Sequence, residues 1–213
     1  MRTSELIENL SADAKPVSRH AVAWRFAAGI GGGALVSALG MWLWLGIRPD
    51  LLGAMSTAGY WIKFFYTLAL AMTGYWATAR LARPGAGMRL PAWGIALAAV
   101  LIAAIATAQW LATPPAQRMA AVMGHSARVC AWNIIILSSP ILVGTFFSLR
   151  RLAPTRLALA GAVAGLAAGA LGAWIYAFHC DESSAPFVAI FYTLGIGGIS
   201  AAGALFGRQW LRW

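Results

Sequence analysis

The sequence predicts an all-α fold: a six-helix transmembrane bundle with both termini cytoplasmic and a short N-terminal amphipathic helix. Three observations carry the prediction. Hydrophobic residues fill 61% of the 213 positions and charged residues only 10%, whereas a soluble domain carries about a quarter charged. Long apolar runs recur, each near the roughly 20 residues a helical span needs, without the alternation of a β-barrel. Basic residues gather in alternate breaks between these runs, as the positive-inside rule requires.

The first element is polar enough to stand apart as a cytoplasmic segment, residues 1–25, ahead of a transmembrane domain, residues 26–213. Glu5, Glu8 and Asp13 occupy the place where a secretory signal would carry basic residues, so the first span is expected to be an uncleaved anchor. Thr3 or Ser4 can cap a helix whose positive end suits Glu5 and Glu8. Leu6, Ile7, Leu10 and Ala14 then share one face, and Pro16 ends the helix. A helix of about a dozen residues is marginal alone in water, so it reads as an element that folds against a partner. Leu6, Ile7, Leu10, Asp13, Pro16 and Val17 are its candidate partner-binding residues. A leader lying on anionic headgroups is the competing reading, and the three acidic residues disfavour it.

Six spans follow, over about 26–47, 58–79, 91–112, 129–149, 157–178 and 186–207. Turn and charge signals separate them: Arg48-Pro49-Asp50, Arg83-Pro84-Gly85, Thr113-Pro114-Pro115, residues 150–154 and residues 179–184. Arg2, Lys15, Arg19, Arg25, Arg80, Arg83, Arg89, Arg150, Arg151, Arg156, Arg208 and Arg212 fall on one side, leaving Arg48, Lys63, Arg118 and Arg128 on the other. The richer side is the cytoplasm. The net charge of +10 is thereby explained as orientation and contact with membrane lipids; the clusters are too short and scattered for direct nucleic-acid binding.

Within the spans, glycines at four-residue spacing (Gly29 and Gly33; Gly161, Gly165 and Gly169; Gly203 and Gly207) predict close packing inside the bundle. Tryptophans crowd the span ends as interfacial anchors. Lys63 is the clear intramembrane charge, expected to snorkel to water. No acid–base pair or activated nucleophile is visible, which argues against an enzyme, and scarce intramembrane charge argues against an ion-coupled transporter.

This topology sets Cys130 at the outer end of the fourth span and Cys180 just beyond the outer end of the fifth, with His125 and His179 in the same layer. In a bacterium that compartment is oxidising. Three readings compete. The cysteines form a structural disulfide, they form a redox-responsive pair, or they join His125 and His179 in holding a soft divalent metal. The spacing lacks the local CxxC pattern of a zinc site, and no other cofactor is expected.

Three stretches together resemble one family. They are LIENLSADAKPV at residues 6–17, GHSARVCAWNIIILSSPIL at 124–142 and FHCDESSAPFVAIFYTLGIG at 178–197. With the six-span layout and the two single cysteines, they resemble the negative regulators of sigma-F, the NrsF-like membrane anti-sigma factors, over most of the chain. Asp181 stands where that pattern would have proline. The resemblance implies a protein of the bacterial inner membrane that sequesters an extracytoplasmic-function sigma factor. A periplasmic redox or metal stress sensed at Cys130 and Cys180 would release it. The alternative from another class is a small membrane transporter or channel subunit with no sigma-factor partner.

Overall fold

The computed structural model describes residues 3–12, 21–83, 87–150, 152 and 154–212. Among these residues every regular element is helical: α1 Thr3–Ala12, α2 Ala21–Gly40, α3 Leu51–Ala54, α4 Ala58–Leu81, α5 Arg89–Ala112, α6 Pro115–Met123, α7 Ala127–Leu149, α8 Leu157–Tyr176, α9 Ala185–Phe187 and α10 Thr193–Trp210. Two π-helical turns, Met41–Leu45 after α2 and Val188–Tyr192 between α9 and α10, extend these helices without a break.

Among the described residues, five helical stretches are long and apolar enough to cross a membrane: Trp24–Leu45, Arg89–Ala112, Pro115–Leu149, Leu157–Tyr176 and Ala185–Trp210. The remaining predicted span, at 58–79, is a helix of 24 residues, and therefore of spanning length. Its tyrosines, threonines and Lys63 make it less apolar than the other five. The surface is inverted relative to a soluble protein. Leu43, Trp93, Phe147 and Leu205 are exposed, while Thr67, Thr78, Ser138 and Thr145 are buried. Such a pattern fits a hydrocarbon surround, in which polar groups must find partners inside the protein.

Contacts fix the helix directions. On α2, Gly29 meets Gly144 and Ser148 of α7, Gly33 meets Ile141, and the Ser37 hydroxyl donates to the Leu137 carbonyl, so the two run antiparallel. On α8, Gly161 meets Gly203, Gly165 meets Ile199 and Gly169 meets Ile196, so α10 is antiparallel to α8. Helix α4 crosses α8 with Phe64 against Trp174 and Gly74 against Ala167, again antiparallel. Gly195 and Gly198 of α10 touch Ile134 and Ile135 of α7, and those two are parallel. Thr73 of α4 packs on Gly94 of α5. The result is an up-and-down bundle in which the start of α2 and the end of α10 share one end.

The glycine spacings thus do what the sequence predicted: they bring helix backbones together where a methyl group would not fit. Pro140 does not end α7, which continues through it. The proline removes one main-chain donor and loosens the local ladder. Ser37 supplies a donor to the neighbouring Leu137 carbonyl.

Candidate functional site

At the end of the bundle away from the start of α2, the connections 46–57, 113–126 and 177–184 come together. The last of these carries the site. Cys180 N–H donates to the Tyr176 carbonyl at 3.0 Å, closing the turn that ends α8. The loop is then pinned from four directions. Lys63 Nζ of α4 donates to the carbonyls of Cys180 at 2.7 Å and Glu182 at 2.9 Å. Arg48 Nη1 donates to the same Cys180 carbonyl at 3.2 Å, while its Nε and Nη2 hold the Asp50 carboxylate. Ser184 Oγ donates to the Ala121 carbonyl of α6, and Gln109 Oε1 of α5 accepts from Ala185 N–H, both at 2.7 Å.

Cys130, in the first turn of α7, and Cys180 are both buried and both free thiols. The two thiols lie close enough to interact directly. Tyr192 and Lys63 also lie close to Cys180. Interaction with the neighbouring Cys130 thiol first, and then the charge of Lys63, pull the Cys180 thiol below its ordinary range against the opposing effect of burial. A cleft of about 570 Å³, lined in part by Arg48, Asn133, Tyr176, His179 and Cys180, opens over this pair.

The four residues that the sequence offered for a metal are divided. Cys130 and Cys180 meet each other. The ring of His125 stands between two carboxylates, with Nε2 3.0 Å from Asp181 Oδ1 and Nδ1 2.9 Å from Glu182 Oε1. His179 Nδ1 faces the Gly46 carbonyl at 2.9 Å. Among the described residues, the potential metal ligands that come within 4.8 Å of one another as a group of three are His125, Asp181 and Glu182. The Glu182 carboxylate also accepts from the main-chain N–H groups of His125 and Ser126 at 2.7 and 3.4 Å, where it serves the positive end of α7.

Gly124 makes this last arrangement possible. It adopts φ 51° and ψ −158°, a region held almost only by glycine, and a Cβ there would lie on the Glu182 carboxylate. Gly124→Ala is expected to cost about 1–3 kcal/mol from the backbone alone, read as a lower unfolding midpoint in detergent. An unchanged midpoint would remove Gly124 from the site's framework.

Lys63 corrects the expectation that it snorkels to water: it is 0% exposed, its ammonium turned inward onto the loop. The sequence carried part of the signal, the face on which Lys63 lies, though not its acceptors. Lys63, Thr67, Gly74 and Thr78 follow helical spacing, and this polar and small-residue stripe is buried in α4. Of the N-terminal candidates, Leu6, Ile7 and Leu10 lie within helix α1. Asp13, Pro16 and Val17 lie outside the described residues.

Residues 10–213 match the family model described as Negative regulator of sigma F. The chain is 39% identical to the anti-sigma-F factor NrsF of Caulobacter vibrioides (strain NA1000 / CB15N) over 220 residues, covering 100% of both chains. It is 37% identical to the probable anti-sigma-F factor NrsF of Azospira oryzae over 213 residues, again covering 100% of both. No solved structure matches the chain.

Proposed function

The chain belongs to the negative regulator of sigma F family, and from that membership we propose that it is a membrane-anchored anti-sigma factor. It holds an extracytoplasmic-function sigma factor at the cytoplasmic face of a bacterial inner membrane and releases it when a periplasmic stress acts on Cys130 and Cys180. The full-length match to relatives named as anti-sigma-F factors carries the first half of this reading. The meeting of two free, buried thiols carries the second.

In this reading α4 also crosses the membrane, as the second of six spans, and both termini lie in the cytoplasm, where most of the basic residues then fall. The cysteine end of the bundle faces the periplasm, where a disulfide can form and persist. Oxidation takes two electrons and two protons from the thiols; a hydroperoxide accepts them as its O–O bond breaks, leaving an alcohol or water and a second molecule of water. A disulfide has a narrower geometry than a pair of neighbouring thiols. Forming it moves the start of α7 against the 177–184 loop. That loop's ties to Lys63, Arg48 and Gln109 pass the displacement to α4, the end of α2 and α5. At the far end, the connections 80–89 and 150–156 and the N-terminal helix present the sigma factor. Release requires that the two states of the bundle bind that partner with different affinity.

The decisive experiment replaces each cysteine. Cys130→Ser and Cys180→Ser should each retain the sigma factor in membranes yet lose its stress-triggered release, read as target-gene induction under hydroperoxide or a soft divalent metal. Wild-type induction in both variants would reduce the pair to packing.

A further inference from the structure

A groove with one charged end runs along the seam of α2 and α7. Where α2 begins and α7 ends the two helices touch, and Ser148 Oγ donates to the Arg25 carbonyl at 2.8 Å. Further along, the backbones of Gly29 and Gly144 meet. Beside this contact lies a space of about 460 Å³, lined in part by Arg25, Ala28, Gly29, Gly32, Gly144 and Phe147. The space exists because glycine and alanine let the backbones approach without filling the flank of the crossing. From Arg25 to Gly33 the lining follows eight residues of α2, about 12 Å of helix. That is most of the roughly 15 Å of hydrocarbon in one leaflet.

The end at Arg25 is positive and uncompensated. Arg25 is exposed, and among the described residues no carboxylate pairs with it. Asp50, Asp181 and Glu182 lie at the opposite end of the bundle, and the other acidic residues, Glu5, Glu8 and Asp13, precede α2. Arg150, also exposed, caps α7 two residues beyond Ser148. The remaining lining is apolar apart from Ser148, and the large side chain among it, Phe147, is exposed. A trough one leaflet long that ends in a guanidinium matches an acyl chain joined to an anionic head. A soluble anion would use the arginine and leave the trough unused.

We propose that this groove binds one anionic phospholipid, its phosphate at Arg25 and an acyl chain along Ala28, Gly32 and Gly144. Basic pockets between spans on the cytoplasmic side recognise anionic headgroups, and the planar guanidinium fits phosphate through paired N–H donors. The chain fills the flank that the small residues leave open and braces α2 against α7. The inference rests on the chain spanning a membrane and needs neither the sigma factor nor the cysteines.

The test uses full-length protein in mild detergent, without sigma factor, and counts retained lipids by native mass spectrometry. Palmitoyl-oleoyl phosphatidylglycerol and palmitoyl-oleoyl phosphatidylethanolamine, identical in their chains, are added in turn. The wild type should keep one phosphatidylglycerol about fivefold more strongly than phosphatidylethanolamine, the effect of one arginine on an anionic lipid. Arg25→Gln, at an exposed position, should bring the two within about twofold. Gly32→Leu should lose the retained lipid of either kind, because the leucine enters the groove. A Cβ at Gly32 meets nothing within 4 Å, so this variant should keep a wild-type unfolding midpoint in lipid-free detergent. Gly31→Leu, equally unobstructed but outside the lining, should keep the lipid. Equal retention of both lipids by the wild type, or retention unchanged in Gly32→Leu, means annular lipid only and overturns the proposal. Displacement by glycerol phosphate overturns it as well, since the site would then be one for anions alone. A dimer that Gly32→Leu splits would put a second copy in the groove, with the same consequence. Because neither the sigma factor nor an oxidant is present, these results stand apart from those on holding and release.

Discussion

Replacing Leu6, Ile7 and Leu10 together with glutamate is expected to abolish co-purification of the sigma factor. The three positions fall within α1, Thr3–Ala12, and three- and four-residue spacing places them on one helical face. A short amphipathic helix that seats this face in a groove buries about 1.5–3 kcal/mol per large aliphatic side chain. Losing three such contacts removes at least about 4 kcal/mol, close to a thousandfold in affinity. Introduced glutamates also resist desolvation, so the true loss is larger. Glu8 is exposed, and Glu8→Gln is the matched control, expected to leave binding within about twofold because a rim charge contributes little to affinity. Capture of the sigma factor at wild-type levels by the triple variant would place the docking surface elsewhere, on the 80–89 and 150–156 connections.

Some of this molecule was legible in the sequence for simple reasons. Helical spans announce themselves by apolar run length, and glycines at four-residue spacing announce close packing. Gly161 against Gly203 and Gly29 against Gly144 are that packing realised. The meeting of Cys130 with Cys180 follows from helix alternation, because both cysteines cap spans at the same end.

What was hidden depended on side-chain direction rather than on residue type. Lys63 near the end of an apolar helix has two outlets, water or a buried acceptor. Choosing between them required the loop carbonyls of Cys180 and Glu182, which lie 117 and 119 positions away in the chain. His125 was grouped with the cysteines because it is near them in sequence. Its ring is instead held by Asp181 and Glu182, and its side chain is 70% exposed. Helix α6, Pro115–Met123, was unread because its nine residues follow a Pro-Pro pair that also signals a turn. Its Pro115 stands in the first turn of the helix, where a missing N–H costs nothing.

Gly203→Leu is expected to break the bundle, and with it both holding and release. A Cβ at position 203 would overlap the Gly161 carbonyl and press on the Cα of Gly165. These are main-chain atoms at the crossing of α8 and α10, so no rotamer change relieves the contact and the helices must separate. Overpacking of a tight interior costs about 1–3 kcal/mol, occasionally more, and here a full leucine enters a seam without room for a methyl. Inside a membrane the loss is not offset by hydrophobic association, because lipid is as apolar as the seam. Gly31→Leu on α2 is the control, since nothing lies within 4 Å of a Cβ there, and it should unfold in detergent near the wild-type temperature. The functional outcome distinguishes frame from sensor. The cysteine variants should hold the sigma factor and fail to release it, whereas Gly203→Leu should fail to hold it, giving target-gene expression without any stress. A Gly203→Leu protein with wild-type thermal stability would show that the α8–α10 seam can open at little cost. The displacement started at Cys180 would then be absorbed at that seam and could not reach the cytoplasmic face.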